Sequence, residues 1–346
     1  MSTGESRPGK EEARMTTTEG AGQRLTMRAM VQDRYGPPGV LRLREVARPV
    51  PADDQVLVRV IASSVNALDW HFMRGTPWLM RFTEGLRRPK AKVRGVDVAG
   101  VVEAVGRDVT WAKPGDEVFG SRDGAFAEYV AGRTFVPKPA SLSFEQAAAI
   151  PAAGVTALQA VRDHARVRPG QRVLVTGAGG GVGSLAVQVA KAVGAHVTAE
   201  TGGDRVDMVA GLGADRVVDR EVEDVSSARD RFDAIIDVAG RASLSALARL
   251  LAGEGTLVLV GAAGDGRGIG AIVRPVAATV RTRLGGRRMV AFIAKSRRED
   301  LLALGDLVEA GSLTPAIDRT YPLERAGEAI GYLETGQARG KVIVTI

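Results

Sequence analysis

RVLVTGAGGGVG, from Arg172 to Gly183, is the stretch on which the reading of the fold turns. A short apolar run, Val173 to Val175, stops at a glycine-dense turn, and an amphipathic segment, SLAVQVAKAVG, begins at Ser184. Ala178, Gly180 and Gly183 stand at the spacing of G-x-G-x-x-G with alanine first, and Gly181 and Val182 fill the gap. Glycine lets such a turn tighten and brings backbone N–H groups to a pyrophosphate at the helix N-terminus, where the helix dipole favours an anion. Alone the motif would be weak. Between an apolar strand and a helix it points to a dinucleotide.

Downstream the same grammar repeats. HVTAE, a helix ending in GLGA, RVVD, FDAIIDVAG, the helix SLSALARLLA and GTLVLVG alternate apolar strands with amphipathic helices, the pattern of a doubly wound parallel sheet. Glu200 lies about 20 residues beyond Gly180, where an acid would accept from the ribose hydroxyls and repel a 2′-phosphate, tilting the choice between NAD(H) and NADP(H) toward NAD(H). Arg205 pulls the other way, since a guanidinium there would pair with that phosphate. The words DVAG and VGAAG end later strands, with Val238 and Gly261 as candidate contacts to the nicotinamide half.

Upstream, from Met27 to about Val136, the text is short strands and turns, with period-two apolar residues in QVLVRVIASSV. Ser143 with Gln146 three residues on reads as a capping box, and Pro151 marks a break before a second helix. The closing AIDRTYPLERAGEAIGYLETGQARGKVIVTI reads as strand, helix, strand. Residues 1–26 mix polar and charged types without an apolar run, so they are expected to be a disordered tail rather than a targeting signal. No apolar stretch is long enough to span a bilayer, and the expected location is cytoplasmic.

Composition narrows the chemistry. The chain of 346 residues contains no cysteine and only 3 histidines, which excludes disulfides, iron–sulfur clusters and thiolate zinc sites. A formal charge of +7 invites an acidic partner, yet no nucleic-acid motif accompanies it, and none is expected to bind. The strongest local excess, residues 267–298, reads as a lid over a substrate pocket, a homodimer contact, or a peripheral contact with an anionic membrane; Arg87, Arg88, Lys90, Lys92 and Arg94 would extend that face. Within it, Ile269 to Leu284 reads as an amphipathic helix interrupted at Pro275.

Taken together, VNALDWHFMRG, GVDVAGVVEAVG, PGDEVFG, AFAEYV, AAAIPAAGVTAL, PGQRVLVTGAGGGVG and ARGKVIVTI resemble the medium-chain dehydrogenase/reductase superfamily, and within it the zinc-independent, quinone-oxidoreductase-like branch that includes the reticulon-4-interacting-protein type. The resemblance implies an α/β protein with a GroES-like β-rich catalytic domain, residues 27–152 and 315–346, and a doubly wound parallel-sheet Rossmann domain, residues 153–314. Aligned by their surrounding words, the three positions that hold catalytic zinc in alcohol dehydrogenases of the superfamily are Asn66, Val96 and Ala152. Two of these lack any donor atom, so no metal is expected.

Hydride transfer without a Lewis acid suits an acceptor that spreads its own arriving charge: a quinone or an activated alkene or carbonyl, expected to be a flat, lipophilic small molecule. A zinc-free alcohol or aldehyde dehydrogenase and a dinucleotide-binding scaffold with little turnover are the alternatives. Asn66 would donate to a developing oxyanion or fix the nicotinamide ribose. His71 occupies the place where relatives put a relay histidine or a tyrosine, which makes it the candidate proton donor, with Asp69 its neighbour in the loop. Asp97 is expected to position rather than react. Thr156 would touch the nicotinamide, and Trp70, Trp78 and Phe82 would rim the pocket. A short-chain dehydrogenase is excluded because no tyrosine is followed four residues later by lysine.

Overall fold

The computed structural model describes residues 1, 25–227, 230–260, 276–280, 282 and 287–346. The tail expected at residues 1–26 lies almost wholly outside these, as do Gly261 and most of the basic segment; of the helix expected over 269–284, residues 276–280 and 282 are described, and these are helical.

The β-rich half opens with an antiparallel pair, β1 (Thr26–Gln32) and β2 (Leu41–Ala47). It continues through β3 (Val56–Val65), β4 (Asp97–Val105), β5 (Glu117–Ser121), β6 (Tyr129–Gly132) and β7 (Phe135–Pro137). Between β3 and β4 run two short helices, α1 (Ala67–Arg74) and α2 (Met80–Glu84). The capping box forms as expected: Ser143 Oγ accepts from the Gln146 N–H at 3.2 Å, and the Gln146 side chain accepts from the Ser143 N–H at 3.0 Å. It starts α3 (Phe144–Ala148), and Pro151 then opens α4 (Pro151–Leu158), where a missing N–H costs nothing.

The second half is a wound sheet of β8 (Arg172–Thr176), β9 (His196–Thr201), β10 (Arg216–Asp219), β11 (Phe232–Asp237), β12 (Leu251–Val260) and β13 (Arg288–Phe292). These six pair in the order β10-β9-β8-β11-β12-β13, every pair parallel. Strands covered on both faces read as near-continuous apolar runs, and Val173, Leu174 and Val175 are all fully buried. Val173, Val175, Val197 and Ala199 pack with α4 and with α5 (Gly181–Ala192) on one face. Leu174, Ile235 and Leu257 pack with Leu247 and Leu250 of a helix at Leu244–Leu250 on the other.

The chain then returns to the first sheet. β14 (Ile317–Pro322) and β15 (Lys341–Thr345) flank the helix Ala326–Glu334, and β15 pairs antiparallel with β3, giving the order β14-β15-β3-β4-β5-β7 with β6 on β3. This return decides where the site lies. The Gly340 N–H donates to the Gly179 carbonyl at 3.0 Å, so the start of β15 is stitched directly to the glycine turn of the other sheet. Gly340 has φ +100°, and a Cβ there would meet the Ala316 carbonyl oxygen at 2.4 Å, so only glycine fits.

Candidate active site

The glycine turn is built as its sequence requires. Gly177 has φ +68°, and a Cβ on Gly183 would stand 2.2 Å from the Gly177 oxygen. Ala178 is fully buried, its methyl packed in the core and its N–H donated to the Glu200 carbonyl at 2.9 Å. Gly180 caps α5, and Gly181, Val182 and Gly183 form its first turn, whose N–H groups have no partner inside the helix. A Cβ on Gly179 would meet Thr201 Oγ1 and Arg205 Cδ, each at 2.5 Å. Thr201 Oγ1 itself is buried without a hydrogen-bond partner. A cradle that glycine leaves open beside an orphaned hydroxyl and a guanidinium suits a dinucleotide.

Strand register separates Glu200 from this cradle. Glu200 pairs with Thr176 and Val218, and Thr176 with Asp237, so its side chain lies on the face that holds Val218 and Leu174. Alternation then sends Thr201 to the opposite face, beneath Gly179. Glu200 is buried, and this pushes its carboxyl above the ordinary range, with Arg220 pulling the other way. Arg205 sits beside the turn and donates to the Gly336 carbonyl at 2.8 Å. Val238, just past β11, donates its N–H to the Thr176 carbonyl at 3.3 Å.

Across the seam, one buried carboxylate organises the catalytic half. Asp97 is fully buried: Oδ2 accepts from Ser64 Oγ at 2.5 Å and from Asn66 Nδ2 at 2.8 Å, while Oδ1 accepts the Ala152 N–H at 2.8 Å. The charge that balances it is Lys341, the first residue of β15, only 4% exposed. Its Nζ donates to Asn66 Oδ1 at 2.7 Å and lies 3.4 Å from Asp97 Oδ2. The stem of the same lysine runs under the cofactor helix, its Cδ 2.7 Å from where a Gly181 Cβ would be. Asn66 is thereby held at both ends of its amide, between the two sheets. Of the positions Asn66, Val96 and Ala152, only the first carries a donor side chain.

Asp69 lies next to this network. Its Oδ2 accepts the Asn66 N–H at 2.7 Å, closing the first turn of α1, and burial together with the Asp97 charge lifts its carboxyl to about 7. His71 is buried, stacked on Trp70 at 3.7 Å between ring centroids. Its Nδ1 lies 2.8 Å from the Thr76 carbonyl, which can only accept, so Nδ1 carries the hydrogen and Nε2 is the acceptor. Burial holds the imidazole below its usual range, so the neutral ring prevails at pH 7. Thr156 Oγ1 donates to the Ala152 carbonyl at 2.6 Å. Trp78 and Phe82 are exposed and face each other at 5.4 Å, whereas Trp70 packs against the core. Among the described residues no three His, Cys, Asp or Glu side chains converge to hold a metal ion.

The same architecture recurs in known proteins. An alcohol dehydrogenase GroES-like domain profile matches residues 52–140, and a zinc-binding dehydrogenase profile matches residues 212–344. A pig (Sus scrofa) quinone oxidoreductase is 34% identical, with 94% of this chain and 99% of that protein covered. The chain belongs to the medium-chain dehydrogenase/reductase superfamily, in its quinone-oxidoreductase-like branch.

Other members of the branch agree. The mitochondrial NAD(P)H oxidoreductase RTN4IP1 of Mus musculus is 34% identical over 92% of this chain and 89% of its own. A quinone oxidoreductase structure from Coxiella burnetii superposes with a TM-score of 0.81 at 30% identity, covering 93% of this chain and 100% of that one. The protein is an NAD(P)H-dependent oxidoreductase of the quinone/alkenal reductase type. The sequence singles out the glycine turn, Asn66 and Asp97, and the fold sets two further residues beside them, Lys341 and Thr201. A lysine heading the apolar strand KVIVTI was the available signal, because a charge at a buried strand position demands a partner.

Proposed function

We propose that this oxidoreductase reduces a quinone or an α,β-unsaturated carbonyl with NAD(P)H and uses no catalytic metal. The observation that carries the reading is the amide, ammonium and carboxylate of Asn66, Lys341 and Asp97 at the seam where zinc-dependent members of the superfamily keep their ion. Val96 and Ala152 offer no donor, and the Asn66 amide is already committed at both ends. When bound, the reduced nicotinamide supplies the hydride.

The chain's own residues supply the setting. The first turn of α5 offers its free N–H groups to the pyrophosphate, and Lys341 adds a positive charge beside that turn. Asn66 is fixed in orientation by Lys341 and Asp97, and since its Nδ2 also donates to the Ser64 carbonyl at 3.4 Å, the second lone pair of Oδ1 is what suits it to hold a nicotinamide ribose hydroxyl. We assign His71 to anchoring the turn at Thr76, because its Nδ1–H is engaged and its neutral ring has no second proton to give. The proton that completes the reduced product then comes from water. An acceptor that delocalises the added electron pair is the class for which oriented donors suffice.

The test is NADH and NADPH oxidation with a panel of 1,4-quinones, enones, simple aldehydes and aliphatic alcohols with the oxidised cofactors. Turnover concentrated in quinones and enones is expected. Turnover confined to aliphatic alcohols and aldehydes would refute the reading.

A further inference from the structure

The connection from α1 to β4 wears its apolar side chains on the outside. Consecutive turns run from Pro77 into α2, with Met80 donating its N–H to the Pro77 carbonyl, Arg81 to Trp78 and Phe82 to Leu79. Trp78 and Phe82, four residues apart, therefore share one face, their ring centroids 5.4 Å apart, and they are 57% and 58% exposed. Leu79 and Leu86 are exposed as well. The backbone beneath them is pinned. Arg81 donates to the Gly75 carbonyl at 2.9 Å and lies 4.5 Å over the Tyr35 ring, and the Tyr35 hydroxyl donates to the Gly85 carbonyl at 2.7 Å. The Lys90 N–H donates to the Glu84 carbonyl at 2.7 Å, and a Cβ on Gly85 would stand 2.1 Å from the Arg88 oxygen, so the chain doubles back and carries Leu86, Arg87 and Arg88 at its tip. A pinned loop does not fold its own aromatics away, and their exposure asks for a partner. Charge collects on the same loop. Residues 76–92 hold five basic side chains, Arg81, Arg87, Arg88, Lys90 and Lys92, and one acid, Glu84, for a net charge of +4. Glu84 is half-buried, and its charge acts on the buried Arg94. Arg87, Arg88, Lys90 and Lys92 are exposed, and among the described residues no carboxylate pairs with them.

We propose that the loop at residues 78–92 docks on the surface of an anionic lipid bilayer, with Trp78, Phe82 and Leu86 at the boundary of headgroups and acyl chains and Arg87, Arg88, Lys90 and Lys92 on the anionic headgroups. The combination decides the occupant. The apolar side chains have something to bury and the basic rim gives the surface a sign, which is how a peripheral protein holds an anionic membrane. A second copy of the chain, meeting this loop across a two-fold axis, would set like charge against like. A nucleic acid would satisfy the charge, but Leu79 and Leu86 offer its bases no ring to stack on. The docking needs neither cofactor nor acceptor, so it stands or falls apart from the reduction chemistry.

The experiment is co-sedimentation of the full chain, without cofactor or acceptor, with vesicles of phosphatidylcholine alone and of phosphatidylcholine with about one quarter phosphatidylserine, at low and at physiological salt. Binding to the anionic vesicles only, weakened by salt, is expected. Each basic side chain at such a surface is worth about fivefold in partitioning, so the triple variant Arg87→Gln, Arg88→Gln, Lys92→Gln should bind ~100-fold more weakly. The double variant Trp78→Ser, Phe82→Ser should lose ~10-fold or more through the burial it forgoes. Trp78→Phe should still bind but abolish the blue shift of tryptophan emission on binding, since Trp70 and Trp111 are already half-buried. All the substituted side chains are exposed, and the variants are expected to keep the wild-type urea midpoint. Equal binding to neutral vesicles, undiminished binding of the triple variant, or no binding to either vesicle would each overturn the proposal. So would a single-stranded oligonucleotide that displaces the vesicles, or self-association of the wild type that the double variant abolishes.

Discussion

Replacing Lys341 by methionine removes the charge that faces Asp97 and keeps most of the stem that packs under Gly181. At the observed 3.4 Å and an effective dielectric of about 20, the attraction between the two charges is about 5 kcal/mol. Asp97 retains Ser64 Oγ, Asn66 Nδ2 and the Ala152 N–H as donors, which offset part of the loss. Breaking a buried pair from one side costs roughly 3–5 kcal/mol, so Lys341→Met is expected near the lower end, about 3 kcal/mol. Adding Asp97→Asn to it removes the stranded charge and should recover about 2 kcal/mol of that. The assay is a double-mutant cycle by urea unfolding. Trp70, Trp78 and Trp111, the 3 tryptophans, all lie in the β-rich half, so their fluorescence follows the region perturbed. A coupling energy below about 0.5 kcal/mol would refute the view that Lys341 and Asp97 form one unit.

Asp69, with its carboxyl raised by burial from 3.8 to about 7, binds more protons folded than unfolded between those values, so stability falls as pH rises through that window. Urea midpoints compared at pH 4.5 and pH 7.5 should show a smaller decline in Asp69→Asn than in the wild type. His71 has the opposite sign: its folded value is depressed, so stability is lost as pH falls below the ordinary histidine value of 6.5, and His71→Gln should soften that acid-side loss in the same measurements. In the cofactor cradle, a Cβ at Gly183 meets backbone oxygen at 2.2 Å, whereas at Gly181 its nearest neighbour is a side-chain carbon, Lys341 Cδ at 2.7 Å. Fluorescence titration with NADPH should therefore show Gly183→Ala losing binding by ~100-fold or more and Gly181→Ala far less, since backbone cannot move aside as a lysine stem can.

Local rules made the wound sheet and its glycine turn readable, because the tight turn, the helix start and the apolar strands lie within a few residues of one another. The capping box at Ser143 and the helix start at Pro151 were legible for the same reason. Spacing alone could not say which of Glu200 and Thr201 faces the cradle. Adjacent residues of a strand point to opposite faces, so a one-residue difference exchanges a buried acid for an unpartnered hydroxyl. Lys341 was harder still, because it reaches Asn66 across 275 positions, a contact created only when β15 returns to β3. The role proposed for His71 rests on which ring nitrogen meets the Thr76 carbonyl, and no pattern in the sequence carries that.

In the proposed mechanism a fixed amide, ammonium and carboxylate stand where a metal works elsewhere in the superfamily. The most direct measurement is anaerobic turnover of an enone with NADPH deuterated at nicotinamide C4, using protein dialysed exhaustively against a chelator and assayed for metal content by mass spectrometry. Undiminished turnover, with deuterium delivered to the β-carbon and no stoichiometric metal retained, is the predicted result. Loss of turnover on chelation and its return with one equivalent of zinc would contradict the account.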